Sequence, residues 1–297
     1  MSNEYRFDSN VVRLPSCLRV HAQLRSDLSK FSLEDYLQLT QDLHLCGIVR
    51  DTEVLALAAY RYHLSTFDTI RFEIDDLVVD ENHRNQGLGT RLLKYLIEQA
   101  KSMNVTQILI HCHPMNTNAH RFFYRFGLTV IVFEFDLQNF QLFKSNDRIQ
   151  VIDVTDLPTN ENEQLLVQVQ RIYRQLRPHL PEDQSTYIKQ IRDICRMGPA
   201  RLILALDDQR QVLGLSMYRV TRNVNYSQHI YCDDLVTDET KRSTGVGRCL
   251  INYMKSQGKI LGIDRLILDS GCQRAQAHRF YYREGLVISQ YGFTMSI

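Results

Sequence analysis

The chain has 297 residues, 44% of them apolar, enough for two buried cores. Its 35 basic and 34 acidic residues leave a formal charge of +1, which gives no electrostatic footprint for nucleic acid or an anionic membrane. No apolar run approaches the ~20 residues of a membrane span, and no Sec-type leader is readable at the start. Seven cysteines without a C-x-x-C pair point to a reducing cytosol rather than a disulfide framework.

In chain order, residues 1–16 match no regular pattern and read as an N-terminal arm. SLEDYLQLTQDL (Ser32–Leu43) is helical, and VLALAAYRYH (Val54–His63) with IRFEIDDLVV (Ile70–Val79) reads as a hairpin. RNQGLGT (Arg84–Thr90) is a glycine turn that opens an amphipathic helix, TRLLKYLIEQAKSMN. QILIHC (Gln107–Cys112) is a strand. HCHP at His111–Pro114 looks metal-like, but no further ligand cluster lies nearby in sequence, and no metal site is assigned. AHRFFYRF (Ala119–Phe126) is a short helix stopped by Gly127, and LTVIVFEF (Leu128–Phe135) is a strand that closes the unit.

FKSNDRIQ, around residue 146, marks a boundary, and IQVIDVT (Ile149–Thr155) opens a second unit. Helices follow at Glu161–Gln175 and Gln184–Arg196, separated by the Pro-bounded loop PHLPED. A hairpin with a DDQ turn leads to HIYCDDLVT (His229–Thr237), then to the turn RSTGVGR (Arg242–Arg248) and its helix. RLILDS, AHRFYYRE with Gly285, and LVISQYGF complete the unit in the same order as before.

The second unit is therefore a copy of the first, offset by 158 residues. Asp75–Leu128 aligns with Asp233–Leu286 without a gap, and 21 of these 54 pairs are identical. A period this long is domain duplication, since solenoid repeats run ~20–50 residues. The expected organisation is an arm over 1–16, one domain over 17–145 and a second over 146–297.

Each copy runs a strand into a helix through two glycines. The first turn of a helix exposes unpaired N–H groups and carries the positive end of the helix dipole. That is a seat for a pyrophosphate. Gly87, Gly89, Gly245 and Gly247 would leave room for it, Arg84 and Arg242 open the turns, and Arg248 would add charge. Neither turn carries the GK[ST] of a P-loop, nor the third glycine of a dinucleotide fingerprint, where Leu92 and Leu250 stand.

Arg-x-x-Gly-x-Gly after a strand, with Ala-His-Arg-Phe-x-Tyr-Arg-x-Gly-Leu downstream, resembles the Gcn5-related N-acetyltransferases, the GNAT family. The tandem layout is also similar to VipF-type bacterial effector acetyltransferases and, more loosely, to mycothiol synthase. The resemblance implies an α/β fold with two tandem GNAT units, each a mixed sheet with a splayed parallel pair flanked by helices. It implies acetyl-CoA as cofactor, one per domain at most, with CoA as product. Its pyrophosphate would rest on Arg84, Asn85, Gln86, Gly87, Leu88, Gly89 and Thr90, or on Arg242, Ser243, Thr244, Gly245, Val246, Gly247 and Arg248. Its pantetheine arm would lie along Leu77, Val78 and Val79, or Leu235, Val236 and Thr237. It further implies a primary-amine acceptor, a protein lysine or even a host protein after translocation. No nucleic acid and no membrane span enter this expectation.

Acetyl transfer to an ammonium needs a base to take its proton and an acid for the departing thiolate. The family's thiolate-facing Tyr lies four residues after the helix Ala, which is Tyr281 in the second copy and Phe123 in the first. The adjacent Tyr124 and Tyr282 are turned by about 100° and should face elsewhere. The C-terminal copy is thus the expected catalyst and the N-terminal copy a binding or scaffolding module. For the base, Asp233 and Asp234 are both candidates. Strict alternation puts Tyr231, Asp233 and Leu235 on one face and Cys232, Asp234 and Val236 on the other. Asp269, whose first-copy partner is His111, is a third. Lysine-directed relatives place a Glu where Glu73 stands, but the second copy has Tyr231 there. Two rivals stand beside this reading: a non-catalytic acetyl-CoA-binding scaffold, and an acetyltransferase for an aminoglycoside, polyamine or thiol-sugar amine.

Overall fold

A computed structural model describes residues 5–67, 69–142, 146–156 and 159–297, with the side chains of 159–162 and 227 left out of account. The boundary motif FKSNDRIQ begins in 143–145, outside the described residues. The N-terminal half contains β1 (Arg6–Asp8), α1 (Pro15–Ala22), α2 (Leu33–Leu39), β2 (His44–Arg50), β3 (Glu53–Leu64), β4 (Ile70–Val79), α3 (Leu88–Ser102), β5 (Gln107–Cys112), α4 (Thr117–Phe126) and β6 (Thr129–Gln138). The C-terminal half contains β7 (Gln150–Asp153), α5 (Thr159–Leu176), α6 (Gln184–Met197), β8 (Ala200–Leu206), β9 (Val212–Asn223), β10 (Ser227–Thr237), α7 (Val246–Ile260), β11 (Arg265–Gly271), α8 (Ala275–Arg283) and β12 (Val287–Ser296).

The arm is not structureless. Arg6–Asp8 pairs antiparallel with β2 and occupies the edge that β7 takes in the other half. Three residues are too few to show a period of two in sequence.

All twelve strands form one sheet, in the order β1-β2-β3-β4-β5-β12-β6-β11-β10-β9-β8-β7. The order reveals an exchange. The expectation was that LTVIVFEF and LVISQYGF would each close their own unit. Instead β12 pairs with β5 and β6 pairs with β11, both antiparallel, and the two strands pair with each other in the middle. Alternation reports that a segment is a strand, not which neighbour it takes. Two copies offer two near-equivalent seats, and exchange of an identical element costs little.

Each half has an apolar core on both faces of the sheet. In α3 the buried residues Leu88, Leu92, Leu93, Leu96, Ile97 and Ala100 recur at helical spacing and pack on β4 and β5. The matching helix α7 packs with α8 on β10 and β11. On the other face α1 and α2 cover the first half, and the longer α5 and α6 cover the second. The exchanged strands seal the first pair of cores. Phe135 of β6 is fully buried, with its ring centroid 5.1 Å from that of Tyr281 on α8. Phe293 of β12 stands 5.2 Å from Phe123 on α4. Phe135→Ala should cost about 3–5 kcal/mol in urea denaturation, although its own helices lie in the other half.

The sheet folds back on itself. Four strands separate β4 from β10, about 24 Å if flat at ~4.8 Å per strand. Yet Arg71 of β4 donates to the Tyr231 hydroxyl of β10 at 2.8 Å, and Arg61 of β3 donates to Thr221 of β9 at 3.2 Å. Corresponding faces of the two halves therefore meet around a polar chamber. The hairpin tips are exchanged too. Leu64–Phe67 of the first half reaches α5 and β9, and Asn225 beyond β9 accepts from Arg25 of the first half at 2.7 Å.

Candidate active site

In both halves the parallel pair is short. β4 and β5 pair only from Phe72 opposite Ile108 to Ile74 opposite Ile110, and β10 and β11 end with Cys232 opposite Leu268. Beyond these points each pair opens into a fork. Leu77 and Val79, like Leu235 and Thr237, are half-buried along it, whereas Val78 and Val236 are buried in the opposite cores.

The glycine turns stand at the N-termini of α3 and α7. Gly87 and Gly245 cap these helices with φ of 77° and 93°, and neither cap has a side-chain hydrogen bond. The preceding Asn85 and Ser243 are also left-handed, at 61° and 66°. The helix N–H groups thus meet no capping side chain, and a Cβ built on Gly87 would meet nothing within 4 Å. The second glycines differ from each other. A Cβ on Gly247 would lie 2.9 Å from the Phe280 ring, so this position admits the ring of α8 beneath the turn, while one on Gly89 would touch Phe122 at 3.6 Å, an ordinary contact. Arg248 does not lend free charge: it is held by both oxygens of Glu284. Arg84 is exposed and donates to the Val79 carbonyl at 3.3 Å, and Arg242 is exposed as well. Asn85, Gln86, Ser243 and Thr244 are exposed with them, Thr90 is half-buried, and Leu88 and Val246 anchor their helices in the cores.

At the C-terminal fork, Tyr281 of α8 is buried, and burial pushes its hydroxyl pKa well up, with Cys232 and Ser270 beside it. The Ser270 hydroxyl is buried and unpartnered. The corresponding positions of the N-terminal fork are Phe123, Cys112 and Ile74, all packed in one apolar core. The neighbours Tyr124 and Tyr282 are exposed, as their helical turn requires.

The acidic residues lie on the chamber side, and their faces differ from strict alternation. Both acidic strands carry a β-bulge, at Asp75 and at Asp233, which reverses the alternation beyond it. Cys232 and Leu235 consequently share one core, while Asp234 and Val236 face the α5–α6 side. Both Asp234 oxygens are engaged, by Tyr173 at 2.6 Å, Arg177 at 2.8 Å and Thr66 of the other half. Asp76 is held likewise by His21 at 3.0 Å and Arg25 at 2.8 Å. Asp233 is bound at one oxygen only, by Arg219 at 2.8 Å, and its Oδ1 has no hydrogen-bond partner. Burial raises its pKa, against the pull of Arg219.

Glu73 is buried, and despite that burial Arg61 and Arg71 hold its pKa well below the carboxylate range. Arg71 also binds Asp269, which takes His111 of β5 at 3.0 Å. His111, Glu134 and Asp269 place ligand atoms within 4.8 Å of one another, but Arg71, Tyr226 and His111 itself already engage the carboxylates. Burial disfavours a charged His111, yet Asp269 and Glu134 overcome it and bring its pKa up to about 9. The chamber gathers the cations Arg61, Arg71, Arg219 and His111 with the carboxyls Glu73, Asp233, Glu134 and Asp269, and a fifth, Asp75, which burial pushes up to about 7 against the pull of Arg61.

The sequence profile of the Acetyltransferase (GNAT) family matches residues 14–128 and 166–286. The chain belongs to the GNAT acetyltransferase family. Both matched segments stop where the exchanged strands begin, at Leu128 and Leu286. The uncharacterized N-acetyltransferase YhdJ of Bacillus subtilis is 30% identical over 123 residues, 41% of this chain and 84% of that protein. A GCN5-related N-acetyltransferase from Sphaerobacter thermophilus has the same fold, with a TM-score of 0.65 at 14% identity, covering 100% of this chain and 96% of that one. A tandem GNAT protein from the clavulanic acid biosynthesis pathway gives 0.62 at 12%, covering 99% and 98%. No helix among the described residues is long and apolar enough to cross a membrane.

Within this tandem GNAT fold, Tyr281 and Asp233 come to the C-terminal fork from its two sides, while Asp234 serves to hold Arg177 and Thr66. Sequence reasoning missed His63, Thr66, Arg177 and Arg219 around these acids. Two of them, His63 and Thr66, belong to the other copy, and no local pattern announces a contact 168 residues away, as between Thr66 and Asp234. His111 gives the chamber a pH signature. Its folded pKa of about 9 exceeds the unfolded ~6.5, so its stabilisation is complete below pH 6.5 and lost as pH rises through 9. His111→Asn should therefore be destabilising at pH 6.5 and nearly neutral above pH 9.5, as urea denaturation would measure.

Proposed function

We propose that the protein transfers the acetyl group of acetyl-CoA to a primary amine and that the C-terminal half performs the chemistry. One observation carries this: Tyr281, Ser270 and Cys232 present polar groups at the C-terminal fork, where the N-terminal fork has Phe123, Cys112 and Ile74. The turns fit CoA through uncapped helix amides beside open space. In the reaction the amine nitrogen bonds to the thioester carbon and the C–S bond breaks. Asp233 Oδ1 takes one proton from the acceptor ammonium before attack; as the C–S bond breaks, Tyr281 gives its proton to the departing sulfur and recovers one from the nitrogen as the amide forms. The N-terminal half, with the same turn, binds CoA or only shapes its partner's site.

A lysine side chain is the acceptor this reading favours, because a long unbranched stem with an ammonium tip suits a narrow approach to Asp233. A free small amine is a second reading, favoured by the way Thr66 and Phe67 cover the acceptor side against Asp234 and Arg177. A host-cell destination rests on the VipF-type resemblance alone.

Thiol release from acetyl-CoA, measured over a lysine peptide, spermidine and an aminoglycoside, tests the reading. Gly245→Val should abolish release and calorimetric CoA binding to the C-terminal half, since a branched side chain there is strained at φ 93° and crowds the amides. Gly87→Val should leave release intact. CoA binding without thiol release from any acceptor would make the protein a scaffold instead.

A further inference from the structure

We infer that the N-terminal half contributes His63 to the acceptor site of the C-terminal half, where His63 Nε2 and Asp233 Oδ1 together receive the acceptor's ammonium. This rests on the acetyl-transfer reading above and adds a residue and a binding role to it.

His63 ends the inward run of β3 and reaches across the chamber to the bulge on β10. Its Nε2 lies 3.9 Å from Asp233 Oδ1. Both atoms are buried and neither has a hydrogen-bond partner. Buried polar atoms are rarely left so, and each such case asks for a reason. Two acceptors at this separation can both be reached at ~2.9 Å by one nitrogen between them. An ammonium has three donors and no lone pair, so it suits two acceptors better than a hydroxyl does. His63 can act as an acceptor because it stays neutral: burial, then Arg219, depresses its pKa well below the usual value.

Charge points the same way. Arg219 already takes the other Asp233 oxygen, and Oδ1 is left without a donor, which a cation would supply. The site also has a direction. Asp233 follows Cys232, the last residue paired across the fork, and Tyr281 stands beside Cys232 on the other face. An ammonium on Asp233 and His63 would thus approach the thioester from the side opposite the proton donor. The N-terminal fork has no equivalent: the position matching His63 is Thr221, whose hydroxyl accepts from Arg61.

Calorimetry with two stable probes tests this without requiring turnover: S-(2-aminoethyl)-CoA, which carries an ammonium past the sulfur, and S-propyl-CoA, its neutral counterpart. The wild type should bind the cationic probe about tenfold or more tightly, as expected of charged hydrogen bonds. His63→Leu should cut the preference to about threefold or less, and His63→Gln, which keeps an acceptor oxygen, should retain most of it. Asp233→Asn should abolish it; if that variant fails to fold because Arg219 loses its partner, the His63 pair decides. Equal affinities in the wild type, or an unchanged preference in His63→Leu, would overturn the inference while leaving CoA binding intact. If neither probe nor acetyl-CoA binds, the acetyl-transfer reading itself fails and takes this one with it.

Discussion

Tyr281→Phe is expected to lower kcat for amine acetylation by about 10²–10⁴-fold, the usual scale of a lost general acid. Acetyl-CoA affinity should hardly change, because the proposed pyrophosphate seat at Gly245 belongs to a different element, α7. Fold stability should hold as well: the ring keeps its contact with Phe135, and only a hydroxyl leaves. Burial acts in two directions: by raising the tyrosine's pKa it keeps the proton on the oxygen through the working pH range, and it makes that proton harder to give. Phe123→Tyr is the counter-experiment. It places a hydroxyl in the N-terminal core beside Ile74 and Cys112, where it should cost about 1–3 kcal/mol and add no turnover. A Tyr281→Phe enzyme with wild-type kcat, alongside an inactive Gly245→Val variant, would show that the thiolate is protonated by another group.

Local patterns in the sequence carried far. The duplication, the strand–turn–helix order and the helices α3, α4, α7 and α8 follow from periods of two and 3.6 and from two glycine stops. What could not be read was partnership. LTVIVFEF and LVISQYGF look interchangeable because they nearly are: each presents a Phe, Phe135 or Phe293, to a ring on the helix it covers. The bulge at Asp233 was hidden for a related reason. A bulge leaves the residue string unchanged and alters only the count against the partner strand, so alternation assigned Asp234 and Asp233 to the wrong neighbours. Gly247 has a packing reason that no local pattern shows, since the Phe280 ring that fills the space lies 33 positions away. The chamber was invisible altogether. Arg61, Arg71 and Arg219 read as ordinary strand charges until the sheet folds back and turns them toward acids of the other copy.

The same chamber yields the largest stability effect. Arg71→Leu should destabilise the fold by about 3–5 kcal/mol, far above the 0–1 kcal/mol of an exposed pair. Arg71 is buried and binds Glu73 of its own strand, then Asp269 and the Tyr231 hydroxyl of the other half. Removing it leaves Glu73 with Arg61 alone, and Asp269 with His111 and Tyr231, in a place where burial alone would drive them to take protons. The deficit should consequently depend on pH with a definite sign. In the wild type Glu73 and Asp269 have depressed pKa values, so their contribution is present above the unfolded ~4–4.5 and is lost as pH falls through the folded values. Without Arg71 those values rise, and the less fully compensated charges penalise the fold more as pH increases. Urea denaturation should therefore show a deficit that is largest near pH 8 and shrinks toward pH 5. Lys189→Ala, which breaks an exposed pair with Asp193, supplies the comparison and should move stability by no more than ~0.5 kcal/mol at either pH. If Arg71→Leu behaved like Lys189→Ala, the two halves would be held by their exchanged strands alone, and the chamber's charges would be passengers of the fold.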